Sequence, residues 1–272
     1  MFKGKKIAII GGGKMGSIVA RALLEQKFFP KRDITVTDID SARLDYIRSA
    51  MGLQVSDDNK KTAKNANIII IAVKPQNMAT ALHEFGSVID SSKTVISIAA
   101  GITTSFIEAS LPKGARVLRV MPNTPALVAE GAAAVAKGSC ATTNDIKLTR
   151  AILDAVGISI EVDEKLMDAV TGLSGSGPAY FFLIIEALIE AGVKMGLPHE
   201  LAAKLSAQTM LGAARLCLQS DKQPAQLREM VTSPGGTTAA GLRVLNEGKI
   251  RETFISAVEA ATKRSKELAA GK

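Results

Sequence analysis

Tryptophan is absent from this chain of 272 residues, tyrosine and histidine occur twice each, and aromatic residues make up only 4% of it. A basic groove that binds nucleic acid usually stacks bases on aromatic side chains, and here that material is missing. The 34 Lys and Arg exceed the 26 Asp and Glu, for a net charge of +8, but they are spread along the chain. This balance favours a small phosphorylated or carboxylated ligand, and no nucleic-acid partner is expected. Cysteine is as scarce. Cys140 and Cys217 stand far apart, with no Cys-x-x-Cys or His-x-x-x-His spacing, so neither a disulfide framework nor a metal site is expected and a reducing cytoplasm is the default compartment. Long apolar runs are also missing. Behind the basic Met1-Phe-Lys-Gly-Lys-Lys6 the run Ile7–Ile10 ends in glycines after four residues, too short for an export signal. Ala179–Leu188 is too short to span a bilayer and is followed by Glu190 and Lys194, so no membrane association is expected.

The composition that remains, 47% apolar and 22% charged, describes a soluble globular protein of a size that usually forms two domains. The first half reads as a doubly wound α/β domain. Ile7–Ile10 forms a strand, Gly11-Gly-Gly-Lys-Met-Gly16 a turn, and Ile18, Val19, Ala22 and Leu23 one face of a helix. In that setting Gly-x-Gly-x-x-Gly is a dinucleotide motif: Gly11 for the tight turn, Gly13 for close approach of a pyrophosphate, Gly16 for close packing of helix on strand. Further strands are expected at Ile34–Thr37, Ile68–Val73, Thr94–Ile98, Val117–Met121 and Ile158–Val162. Their continuous Ile and Val content suits a parallel sheet covered on both faces. Asp38 ends the second strand, where an acid would bond the ribose 2'-hydroxyl of NAD and repel the 2'-phosphate of NADP. Arg43, Lys60 and Lys61 pull the other way, and Asp38 or Asp40 could instead cap the helix starting near Ser41. Two more loops follow strands, Ala72-Val-Lys-Pro75 and Met121-Pro-Asn-Thr-Pro125; the prolines around Asn123 would fix where its side chain points. For Lys74, a solvated charge is as good a reading as a site role.

Beyond residue 163 the pattern is helical, with helices expected at 163–171, 176–195, 198–218, 224–232, 237–246 and 250–270. The chain is therefore divided into a nucleotide-binding domain, 1–163, and an all-helical domain, 164–272. Gly172–Pro178 is expected as an entry turn with Ser176 as N-cap. The helix after it is apolar almost all the way round, which calls for cover from a second copy of the chain.

Chemistry then narrows the choice. Reduction of a ketone needs a proton donor, and this chain is poor in them: His83 and His199 read as solvated or capping residues, and neither Tyr46 nor Tyr180 has a lysine four residues on. A C=N bond escapes this need, because its nitrogen can enter already protonated and leave as a neutral amine. Between two helices lies Ser233-Pro-Gly-Gly-Thr-Thr238, more breakers than a connection requires. Successive N–H groups of Gly235, Gly236 and Thr237 would form a nest for a carboxylate, with Ser233 helping and Thr238 reaching a ring nitrogen. A 3-hydroxy-acid dehydrogenase needs a catalytic lysine on the helix after Ser176, and 176–192 contains none. A redox-sensing regulator would have no use for Ser233–Thr238.

The chain resembles the pyrroline-5-carboxylate reductase family in Ile10–Gly16, Ala72–Pro75, Ser97–Gly101, Arg119–Ala126, Ala169–Tyr180 and Ser233–Thr238. The resemblance implies reduction of 1-pyrroline-5-carboxylate to L-proline by NADPH or NADH, a Rossmann domain followed by a helical dimerisation domain, and a homo-oligomer, either a dimer or a decamer built from dimers. It implies a cofactor site at Gly11, Gly12, Gly13, Lys14, Met15, Asp38, Asn59, Ala72, Val73, Lys74, Pro75, Ala99, Ala100 and Gly101, to which Asn123 is added by its place at a strand end. It further implies carboxylate contacts from Ser233, Gly236 and Thr237, with Thr238 at the imine nitrogen. Asp38 departs from the small polar residue common there in the family, and Asp221 with Gln223 stands where Glu and His are common.

Overall fold

The computed structural model describes residues 2–270, in two compact units: residues up to 176 together with those from 260 onward, and 177–259. The first unit holds eight strands, β1 Ile7–Ile10, β2 Ile34–Thr37, β3 Gln54–Ser56, β4 Ile68–Ile71, β5 Thr94–Ser97, β6 Arg116–Met121, β7 Gly131–Lys137 and β8 Gly157–Glu161. They form one sheet in the order β3-β2-β1-β4-β5-β6-β7-β8. Every neighbouring pair is parallel except β6 and β7. Helices α1 Lys14–Glu25, α2 Ser41–Met51, α3 Asn59–Asn65, α4 Met78–Phe85, α5 Thr104–Ala109 and α6 Thr143–Leu153 connect them.

Alternation along the strands sorts the core. Ile7, Ile9, Ile68 and Ile70 join one buried cluster with Val19, Leu23 and Ile47 from α1 and α2. Ala8, Ile10, Ile69 and Ile71 join another with Ala63, Met78, Leu82 and Phe85 from α3 and α4. Helices thus cover both faces, which is why these strands are apolar at every position. β7 was not expected, because Gly-Ala-Ala-Ala-Val-Ala-Lys has little β-branched content. Its alanines make room: Ala134 and Ala136 lie under Met167, all three buried.

After β8 comes α7, Met167–Val170, a π-helical turn Thr171–Gly175, and α8, Gly177–Lys194. The expected break at Gly172–Pro178 is therefore not a break. Ser176 has helical φ and ψ of −83° and −22° in place of the extended backbone of an N-cap, and its N–H bonds the Thr171 carbonyl five residues back at 2.8 Å. The resulting helical run Glu164–Lys194, 31 residues long, is long and apolar enough to cross a membrane by length and composition. By packing, the first unit runs on past residue 163, since Met167 is buried on β7. The chain continues with α9 His199–Gln219, α10 Pro224–Met230, α11 Thr237–Glu247 and α12 Ile250–Ala270. In the second unit α8 and α9 pair closely where Gly192 faces Ala202. Phe181, Phe182, Leu183 and Leu205 are each more than half exposed.

Candidate active site

The glycine turn is built around three different constraints. Gly11 has φ +104°, and a Cβ there would lie 2.8 Å from the Ala72 carbonyl oxygen. A Cβ on Gly16 would collide with the Gly11 carbonyl, so α1 can sit on the turn only with glycine at that position. At Gly13, the N-cap of α1, no atom lies within 4 Å of where a Cβ would stand. No side chain caps α1 and its first turn carries no acid. The leading amides, including those of Lys14 and Met15, thus form an open, positively polarised helix mouth that suits a pyrophosphate.

Gly12 is committed elsewhere. Its N–H donates to Asp38 Oδ2 at 2.8 Å, and its carbonyl accepts from Ser17 Oγ at 2.7 Å. Asp38 Oδ1 accepts the Asp40 N–H at 3.0 Å. Capping of α2 falls to Asp40, which accepts from the amides of Ala42 and Arg43 at 3.0 and 3.4 Å. Of the two readings of Asp38, the helix cap is thereby removed, while a fixed carboxylate stays at the end of β2. Asn59 Oδ1 accepts the Thr37 hydroxyl at 2.5 Å and its Nδ2 donates to Glu84 Oε2 at 2.6 Å. Thr37 and Glu84 had no signal in the sequence, because each is recognisable only by what it touches. Ala72 continues the pairing of β4 with β1 through its N–H on Ile10 O at 2.8 Å, Val73 and Pro75 are half-buried, and Lys74 is exposed. Ala99 is buried and Ala100 exposed after β5, followed by Gly101 at φ +68°. Gly12, Asp38, Asn59, Ala72–Pro75 and Ala99–Gly101 follow the C-terminal ends of parallel strands, where open α/β sheets bind ligands.

Asn123, expected at the cofactor, is held by backbone groups on both sides. Its Nδ2 donates to Ser174 O at 3.1 Å and its Oδ1 accepts the Ala132 N–H at 2.9 Å. Each end of the amide thus makes one bond to backbone. A second cluster missed from sequence surrounds Arg119, 3% exposed, with Glu164 at 3.4 Å and Asp168 at 3.8 Å. Glu164 also accepts the Thr104 N–H, and Asp168 accepts the Ser265 hydroxyl at 2.7 Å. A charged residue inside the strand Arg-Val-Leu-Arg-Val-Met was the available signal, since a buried guanidinium needs partners.

In the second unit, Ser233-Pro-Gly-Gly236 forms a turn. Gly235 has φ +70° and the Gly236 N–H bonds Ser233 O at 3.1 Å, with proline and glycine at the positions a type II turn prefers. This corrects the expected nest: the Gly236 amide is used by the turn. The Ala240 N–H bonds Gly236 O, the first bond of α11. The donors left at its mouth are therefore the amides of Thr237, Thr238 and Ala239, one step further on. No side chain caps α11 and no acid lies in its first turn. Ser233 Oγ packs on Gly236, where any side chain would collide with it.

Two family models match the chain. Residues 164–268 match pyrroline-5-carboxylate reductase dimerisation, and residues 6–101 match NADP oxidoreductase, coenzyme F420-dependent. Pyrroline-5-carboxylate reductase of Methanosarcina acetivorans is 44% identical, covering 97% of this chain and 98% of its own length. That of Synechocystis sp. is 42% identical, covering 97% and 98%. Among solved structures, a pyrroline-5-carboxylate reductase from Coxiella burnetii superposes with a TM-score of 0.91 at 40% identity, covering 97% and 98%. Plasmodium falciparum pyrroline carboxylate reductase with NADP bound superposes with a TM-score of 0.90 at 34% identity, covering 99% and 100%.

Proposed function

The chain belongs to the pyrroline-5-carboxylate reductase family, and on that premise we propose how its residues share the reduction of the C=N bond of 1-pyrroline-5-carboxylate to L-proline. The open helix mouth at Gly13 holds the pyrophosphate of NADPH or NADH through backbone amides, with Gly11, Gly12, Lys14 and Met15 shaping the turn. Asp38 and Asn59 face the adenosine ribose, and Ala72–Pro75 and Ala99–Gly101 line the path toward the reacting ring. When bound, the reduced nicotinamide supplies a hydride. The amides of Thr237 and Thr238 at the mouth of α11, with Ser233 and the Gly235-Gly236 turn beside them, hold the substrate carboxylate. Thr238 Oγ accepts from the protonated imine nitrogen and fixes which face of the ring is presented. The carbon takes the hydride, its π electrons pass to nitrogen, and the product leaves as an amine, so no side chain has to surrender a proton in that step.

The observation that carries this reading is the uncapped, acid-free start of α11 after a turn that uses up only one amide. The test is the decay of NADPH or NADH absorbance with and without added 1-pyrroline-5-carboxylate: decay that depends on the imine is expected, and cofactor binding without turnover would refute the reading. Residues 164–272 form the dimerisation and substrate-binding domain, dimers assemble further into decamers, and the protein works in the cytoplasm. The exposed apolar faces of α8 and α9 support self-association. Sedimentation at ten chain masses is the expected result for a decamer, and two chain masses would restrict the assembly to the dimer.

A further inference from the structure

Gly172–Pro178 is left without a task by the scheme above, yet it begins within a π-helical turn, Thr171–Gly175. Three carbonyls around the π-helical turn are met by side chains: Thr171 Oγ1 donates to Met167 O at 2.8 Å, Ser174 Oγ to Val170 O at 3.2 Å, and Asn123 Nδ2 to Ser174 O at 3.1 Å. In α-helical register the Ser174 carbonyl would take the N–H of residue 178, and residue 178 is proline, which has none. Asn123 supplies the missing donor from the crevice loop after β6, 51 positions away in sequence. Its Oδ1 meanwhile takes the Ala132 N–H on β7. Beside it, Met121 fills the space a side chain on Gly175 would need. Hydroxyls that bond the carbonyl four residues back loosen and bend a helix, and π-helical turns concentrate at functional sites.

We propose that Asn123 is a positioning residue, a brace that locks the crevice loop Met121–Pro125 to the π-helical turn by standing in for the amide that Pro178 lacks. This rests on the reductase reading above for its catalytic consequence. The loop it holds follows the C-terminal end of β6, on the side of the sheet where the reductase reading puts the cofactor, so loss of the brace lets the wall of the crevice shift. Small displacements of that kind reduce turnover without removing any group that touches the reacting atoms.

Three variants test the brace, each compared with the parent protein. Asn123→Ala is expected to lower kcat by roughly tenfold or more, with cofactor Kd, read from nicotinamide fluorescence without substrate, within about twofold of the parent. Amide hydrogen exchange of residues 171–178 should quicken. Asn123→Asp keeps the acceptor for Ala132 and loses the donor at neutral pH, so it should behave like the alanine variant and stands in for it if the alanine variant does not fold. Asn123→Ala combined with Pro178→Ala restores an N–H within reach of Ser174 O but leaves the loop untied, so exchange protection at 171–177 should recover while kcat stays low. The proposal is overturned if cofactor Kd rises tenfold while kcat holds, which would put Asn123 on the cofactor. It is equally overturned if exchange at 171–178 is unchanged in the single variant, or if the double variant regains kcat although the loop has no tie. Because the exchange readout needs no turnover, failure of the brace is distinguishable from failure of the reductase reading, which the parent enzyme alone decides.

Discussion

Asp38 places a carboxylate on the Gly12 amide and on the Asp40 amide at once, so its position is fixed before any cofactor arrives. A 2'-phosphate brought beside it meets a charge that cannot swing away, whereas a ribose hydroxyl can donate to its remaining lone pairs. Asp38→Ser is expected to shift the ratio of kcat/KM for NADPH over NADH upward, and an unaltered ratio would mean that the acid faces elsewhere. At the other end of the reaction Thr238→Ala should lower kcat by roughly one to three powers of ten through lost positioning, while unchanged steady-state rates would remove Thr238 from the site. Residue types were readable at these positions because glycine, proline, acid and hydroxyl each have a restricted use. Their partners were not. Thr37 with Asn59 and Asn123 with Ser174 are pairings between separate elements, and no local pattern encodes a contact 22 or 51 residues away.

Elements were legible where period and composition agreed. β1 and β4 are almost wholly Ile, β2 alternates Ile and Val with Thr, and α9 and α12 keep a helical pattern for 21 residues each. Legibility failed where local chemistry pointed the wrong way: alanine in β7, and glycine with proline at 172–178, which read as a break although the carbonyls freed there are bonded by side chains. The glycine turn offers a paired test at this scale. Gly13→Ala meets no protein atom and should leave Tm unchanged while raising cofactor Kd by about tenfold or more, because its methyl stands where a phosphate approaches. Gly16→Ala collides with the Gly11 carbonyl and should lower both Tm and affinity. A Gly13→Ala protein with parental affinity would show that the helix mouth does not hold the cofactor. On α6, burial raises the pKa of Asp145, and this is outweighed by hydrogen bonds from Thr142 and Thr94 and by the Arg116 guanidinium, leaving it below the ordinary carboxylate value. Its contribution is therefore present at neutral pH, above the unfolded pKa, and is lost as pH falls through the lowered folded value. Asp145→Asn should cost about 2 kcal/mol at pH 7 and flatten the acid limb of a stability-versus-pH curve; an unchanged limb would place the acid sensitivity in other groups.

For the molecule as a whole, the division of labour between a nucleotide-binding sheet and a helical half is written in the change of pattern after β8. Self-association is written in the same place, since a helix apolar almost all the way round, as α8 is, cannot remain bare in water. The number of copies is not written there, because one chain's sequence states that a face needs covering and not how many chains close the assembly. Leu183→Glu, at a position 66% exposed, should drop the mass in solution toward a single chain and reduce activity with it; a variant that keeps the parental mass would mean that this face of α8 lies outside the interface. The central claim is that the mouth of α11 grips the acid group of the substrate. A crystal structure with L-proline and oxidised cofactor tests it most directly. The carboxylate is expected about 3 Å from the amides of Thr237 and Thr238, with the ring nitrogen at Thr238 Oγ. A proline carboxylate held by other groups, with those amides facing solvent, would contradict the account.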